Sequence, residues 1–153
     1  MAVFRGSYEE KFTVDAPLEK ARAFFSDLEN IGRNYDGVDR WERVDDRTLH
    51  IFLKPQAAVG VTFRGEHVCK YEFGDRHLAW KSEPDGNVRS QGRATFEPSG
   101  ENRTTIVHRD EIECEMDIHR FVAKALQPIV GRSIEKGVKA YLVRMRKGLK
   151  ESA

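Results

Sequence analysis

Two cysteines, five prolines and a net charge of only +1 show what this chain of 153 residues does without. Cys69 and Cys114 stand alone in strand-like runs, outside any metal-type spacing, so a reduced cytoplasmic setting is expected over a disulfide framework. The small net charge offers nucleic acid no overall attraction. No stretch approaches the roughly 18 uncharged apolar residues of a membrane span. The first residues, Met-Ala-Val-Phe-Arg-Gly, lack the apolar core of a secretory leader. There is no Gly-x-Ser-x-Gly elbow to present a serine nucleophile. Nor does a glycine-rich loop run into a helix to cradle phosphate. No cofactor is implied.

What is present is one domain over residues 1–153, with enough chain to bury a substantial core. Residues Phe4 to Val14 alternate between apolar and polar, the pattern of a half-buried strand. Asp15-Ala16-Pro17 then starts a short helix, with Asp15 as its expected cap and proline in its first turn. Gly32 is expected to interrupt it before a second short turn near Tyr35. Six further strands follow, roughly Asp39–Val44, Thr48–Leu53, Val61–Phe73, His77–Glu83, Asn87–Glu97 and Arg103–Met116. Turn residues at Asp45-Asp46-Arg47, Gly74-Asp75-Arg76, Asp85-Gly86-Asn87 and Ser99-Gly100-Glu101-Asn102 punctuate them.

The last third becomes a long amphipathic helix. Leu126, Val130, Ile134, Val138, Tyr141, Leu142, Met145 and Leu149 recur every three or four residues, and Pro128 is expected to kink or restart it. A single sheet and a single long helix must bury their apolar faces against each other. From Asp117 to Ala153 nine Lys and Arg stand against three Asp and Glu, so a basic helix lies on an acidic body. Its outer face is read first as solvated, and second, against the opposing acidic body, as a patch for anionic lipid or nucleic acid.

This order resembles the helix-grip superfamily of START lipid-transfer domains, pollen-allergen-like proteins and polyketide cyclases, also called SRPBCC. The likeness rests on Phe12-Thr-Val-Asp-Ala-Pro17 entering a helix with Phe24-Phe25, on Arg76-His-Leu-Ala-Trp80, on Gly92-Arg-Ala-Thr-Phe96 and on the Pro128 helix. It implies an α+β fold: a seven-stranded curved antiparallel sheet wrapped around the C-terminal helix, two short helices after the first strand, and a cavity between sheet and helix. The superfamily includes binders and enzymes alike, and fold alone does not choose between them.

Strand parity nominates the site. Phe63, His67, Tyr71, Trp80, Ser90 and Phe96 fall on the expected inner face, as do His108 and Asp110. Ile134 and Tyr141 look back from the helix. A carboxylate on an apolar face is costly unless paired or protonated, so Asp110 needs a reason to be there. Superfamily topology places the first and last strands side by side, which would bring Glu10 near His108 or Asp110. Trp41 is left as either exposed or packed under a loop, and Gly65 and Gly92 as sheet bends or as room for a ligand. A metal site from His67, Cys69, His108 and Asp110 is set aside, because two intervening strands hold the pairs about 14 Å apart.

The preferred reading is a non-catalytic binder of a small hydrophobic or lipid-like ligand, entered near Lys54–Gly60 and Met116–Phe121. The alternative is a polyketide cyclase/dehydratase-like enzyme using Glu10, His108 and Asp110 for proton transfer. An accessory protein docking a partner or membrane through its basic helix is the third. Oligomeric state is not legible.

Overall fold

The computed structural model describes residues 1–58 and 60–152; Val59, in the expected entry loop, and Ala153 lie outside the described residues. The elements are β1 (Ala2–Val14), α1 (Leu18–Phe25), α2 (Leu28–Asn34), β2 (Val38–Asp45), β3 (Thr48–Leu53), β4 (Gln56–Ala58), β5 (Val61–Phe63), β6 (Glu66–Phe73), β7 (His77–Ser82), β8 (Val88–Gly100), β9 (Arg103–Met116) and α3 (Arg120–Glu151). Seven strands form one antiparallel sheet in the order β1-β9-β8-β7-β6-β3-β2, while β4 and β5 pair apart from it. Every large-sheet neighbour except β1–β9 and β3–β6 is joined by a hairpin, so short connections build most of the sheet. The fold is the helix grip.

Local expectations differ from what forms at several points. Asp15 does not cap α1; it is exposed, 3.7 Å from Arg103, and the helix opens at Pro17 without a side-chain cap. The helical break falls at Ser26-Asp27, where Asp27 accepts from the Glu29 amide at 2.9 Å and starts α2. Gly32 lies inside α2, where a side chain would strike the Trp41 ring; Trp41 therefore packs half-buried on that helix. Pro128 does not restart the helix, since α3 runs through it for 32 residues.

The expected strand Val61–Phe73 is two strands. Between them the Glu66 amide donates to the Asn87 side chain at 2.8 Å, and Asn87 in turn donates to the Arg64 carbonyl. These bonds satisfy backbone groups that a continuous ladder would have used. Gly65 sits at the break, crowded by Leu53, Val88 and Phe63, so the space beside it is filled by the protein's own side chains. The chain leaves the sheet here, and the β4–β5 hairpin rises as a lip beside α3.

Core packing is uneven along α3. Val138, Leu142, Met145 and Leu149 of its C-terminal half are buried in the main core with Phe12, Phe25 and Phe96. Leu126, Val130 and Ile134 of its N-terminal half are only partly buried, against a smaller cluster of Phe4, Val88 and Cys114. The C-terminal half is clamped in the core; the N-terminal half rests on β1, where Gln127 bonds both backbone groups of Arg5 and Ile134 lies against Gly6, and stands off β8 and β9.

Candidate functional site

The stand-off leaves a cavity of about 250 Å³ between α3 and the sheet. Val88, Ile112 and Cys114 form its sheet wall, Val130, Ile134 and Tyr141 its helix wall, and Val61 and Phe63 its lip. Lys54, Gln56, Ile129 and Ser133 also border it and are exposed, so it opens to solvent between the lip and α3. Lys54, Gln56 and Ala57 come from one expected entry segment, and Met116 and Ile118 from the other.

Beyond it lies a second chamber of about 30 Å³, bordered by Tyr71, Trp80, Ser90 and His108. Tyr35 and Tyr141 border both spaces, and their ring centroids are 6.4 Å apart. They are the partition. Tyr35 is held by its neighbours: the Arg144 guanidinium of α3 donates to the Asn34 carbonyl at 2.8 and 3.0 Å and to Asp36 at 3.2 Å. An aromatic belt continues inward, with His67 5.3 Å from Tyr35, His108 6.0 Å from Tyr141, and Trp80 stacked on His108 at 5.0 Å.

A polar network lies behind that belt. Asp110 Oδ1 accepts from Ser90 Oγ at 2.7 Å and from Trp80 Nε1 at 3.2 Å. Ser82 Oγ accepts from the Ser90 amide and meets His67 Nδ1, both at 2.9 Å. The network joins β6, β7, β8 and β9, because a period of two places these residues on one face of adjacent strands. Trp80 reaches its partners because Gly92 lies opposite it; a side chain there would come within 2.4 Å of the Trp80 ring and 2.3 Å of the Arg109 carbonyl. Gly92 thus makes room for the protein's own tryptophan.

Burial sets the charge states. It pushes the Asp110 carboxyl up to about 7, against the opposing pull of the Ser90 and Trp80 hydrogen bonds. It pushes both His67 and His108 down to about 4, so both imidazoles are neutral near pH 7. Among the described residues, the Nε2 atoms of His67 and His108 are buried without a hydrogen-bond partner.

The expected site residues therefore separate. Phe63, Ile134 and Tyr141 border the large cavity; Tyr71, Trp80, Ser90 and His108 border the small one, as Tyr141 also does. His67 and Asp110 stand behind, bonded to residues of the wall. Phe96 is buried in the core beside Phe25 and borders neither space. Glu10 does pair with His108 in the β1–β9 register. Its carboxylate, however, accepts from Tyr8 at 2.7 Å and pairs with Arg146 of α3 at 3.0 Å, because α3 covers β1 and brings a cation closer than either imidazole or Asp110. The expected Glu–His–Asp cluster does not assemble.

Arg144 and Arg146, two of the basic helix's cations, are turned to Asp36 and Glu10. Among the described residues, no group of His, Cys, Asp or Glu has the arrangement of a metal site, and no helix is long and apolar enough to cross a membrane.

Comparison with known proteins follows the architecture. The family model described as polyketide cyclase / dehydrase and lipid transport matches residues 5–147. No curated protein sequence matches. An aromatase/cyclase from Streptomyces sp. R1128 superposes with a TM-score of 0.74 at 11% identity, over 95% of this chain and 94% of its own. A START superfamily protein from Mycobacterium smegmatis gives 0.68 at 13%, over 96% and 99%. A protein from Thermus thermophilus gives 0.71 at 20%, over 96% and 99%. At these identities the structural likeness shows the fold.

Proposed function

Because the chain belongs to the polyketide cyclase/dehydrase and lipid transport family, we propose that it binds a small hydrophobic molecule between the sheet and the N-terminal half of α3. The observation that carries this reading is the cavity of about 250 Å³, apolar on its walls and open at one end. Apolar surface lining such a space loses contacts that a ligand of the right shape restores. Few polar groups converge on it, the usual composition of a small-molecule pocket.

Acid/base catalysis of the cyclase/dehydratase kind is the second reading, favoured by a carboxyl whose proton affinity is raised into the neutral range. It has less support, because Asp110 borders neither space and Glu10 is engaged by Arg146.

Fluorescence titration with the neutral apolar dye N-phenylnaphthylamine tests the binding reading. The expected result is saturable uptake of one dye per chain with Kd of about 1–10 μM. Absence of any saturable signal up to about 100 μM, or about −5.5 kcal/mol, would count against it.

A further inference from the structure

The outer face of α3 changes character along its length. A helix lying on a sheet is ordinarily apolar inward and charged outward. Between Phe121 and Gly131, however, Lys124 is the only charged residue. Leu126 and Val130 account for the inner side, packed on the smaller apolar cluster. Phe121, Val122, Ala125 and Ile129 are exposed instead, Phe121 at 70% and Ile129 at 61%. Spacings of three and four place them in one outward row. Arg132, Lys136 and Lys139, all exposed, continue that row toward the C-terminus.

Positive charge surrounds the apolar stretch. Between Arg120 and Lys139 five cations stand against one carboxylate, Glu135. Among the described residues the ion pairs of α3 run through Arg144 and Arg146, and none through those five. The first turn of α3 carries no acidic residue to offset the positive end of the helix dipole, and the Arg120 guanidinium lies 5.6 Å from the Phe121 ring. A row that is apolar first and cationic next is matched by a partner with hydrocarbon and negative charge in one plane. An anionic bilayer surface offers both. Nucleic acid offers phosphates but leaves Val122 and Ile129 without an apolar partner. A second copy docked face to face would bury the cations against a surface whose one carboxylate is Glu135.

We propose that the outward row of α3 from Phe121 to Lys139 docks on an anionic lipid bilayer, with Phe121, Val122 and Ile129 entering the boundary between headgroups and acyl chains. Apolar helix faces of this kind sink about 5–10 Å into that boundary. Arg132, Lys136 and Lys139 then lie among the lipid phosphates, their stems along the apolar layer. Outside residues 117–153 acidic side chains outnumber basic ones, so the field of an anionic surface turns that body away and α3 toward the lipid. Ile129 also borders the large cavity, so docking brings its open side to the bilayer. The surface stands independently of the cavity-binding reading and goes beyond it.

Flotation with phosphatidylcholine vesicles, alone or with about 30% phosphatidylglycerol, provides the test. At about 0.1 M salt the wild-type protein should bind the anionic vesicles at least about tenfold more tightly than the neutral ones, and about 0.5 M salt should weaken that binding at least about fivefold. Phe121→Ser/Val122→Ser, whose side chains border neither cavity, should unfold in urea like the wild type and lose at least about tenfold in vesicle affinity. Phe121→Trp should gain blue-shifted emission on anionic vesicles, quenched by brominated lipid. Wild-type protein that floats with neither vesicle, or equally with both, would overturn the proposal without any variant. Affinity undiminished in folded Phe121→Ser/Val122→Ser would reduce the attachment to charge alone and overturn it too. Tighter binding to a DNA duplex than to the anionic vesicles, or self-association abolished by that double variant, would replace the bilayer by another partner. A protein that takes up N-phenylnaphthylamine but floats with no vesicle keeps its cavity reading and loses this one.

Discussion

Replacing Ile112 and Val130 together by tryptophan is expected to weaken N-phenylnaphthylamine binding at least about a hundredfold, a loss of about 2.7 kcal/mol or more. The two side chains come from opposite walls of the large cavity, one on β9 and one on α3. Indole rings at both positions occupy the volume a ligand would use. Enlarging a side chain in a filled core costs about 1–3 kcal/mol through strained rotamers and displaced backbone. Here the added atoms have an empty space to enter and gain dispersion contacts there. The double variant should therefore unfold within about 1 kcal/mol of the wild type while binding nothing. Val143→Trp is the matched control, because Val143 is 52% exposed and borders neither space. Unchanged dye affinity in the double variant would place the dye somewhere else on the molecule.

Asp110→Asn should stabilise the protein at alkaline pH and do little at acid pH. Folding raises the Asp110 carboxyl from 3.8 to about 7. Between those values the folded chain keeps a proton that the unfolded chain has released. The group's contribution to stability is thus fullest at acid pH and is lost as pH rises through about 7. Above that point the native state holds an ionised carboxylate that burial disfavours. Asparagine cannot ionise, and its side-chain oxygen still accepts from Ser90 and Trp80. The advantage of the variant should grow from near zero at about pH 4 to about 2–4 kcal/mol at about pH 8. His67 and His108 act in the opposite sense: folding lowers each from 6.5 to about 4, so their contribution is present above 6.5 and lost as pH falls. Wild-type acid unfolding over that interval is partly offset by Asp110, and Asp110→Asn should steepen it. Urea denaturation across the pH range checks both signs; a constant difference between variant and wild type would show that Asp110 ionises normally.

How far the chain could be read from sequence depended on whether a property was local. Alternation along β9 placed His108 and Asp110 inward beside Ile106 and Ile112, and all of these except the partly buried Ile112 are buried. The same period of two put Trp80 on one face with Ser82, and the structure adds the hydrogen bonds that make the face a network. Glu10 illustrates the limit. Its register with His108 follows from topology, but its partner is Arg146, far along the chain on α3, and no strand pattern carries that information. Tyr35 is a similar case. Nothing in Asn34-Tyr35-Asp36 marks a site residue; its place in the partition comes from where α2 lies and from the Arg144 guanidinium that holds both flanking residues. The break before β6 leaves no mark in the sequence, because apolar alternation continues across it while the deciding bonds come from Asn87 in a distant turn.

Crystals held under xenon test the core of this account without reference to any chosen ligand, since xenon enters dry apolar voids and is located by its own scattering. An ordered xenon site between Ile112 and Val130 is the expected result, lost in crystals of the double tryptophan variant. Xenon density absent from that region, with side chains of the wild-type protein meeting across it, would contradict the existence of the binding space itself.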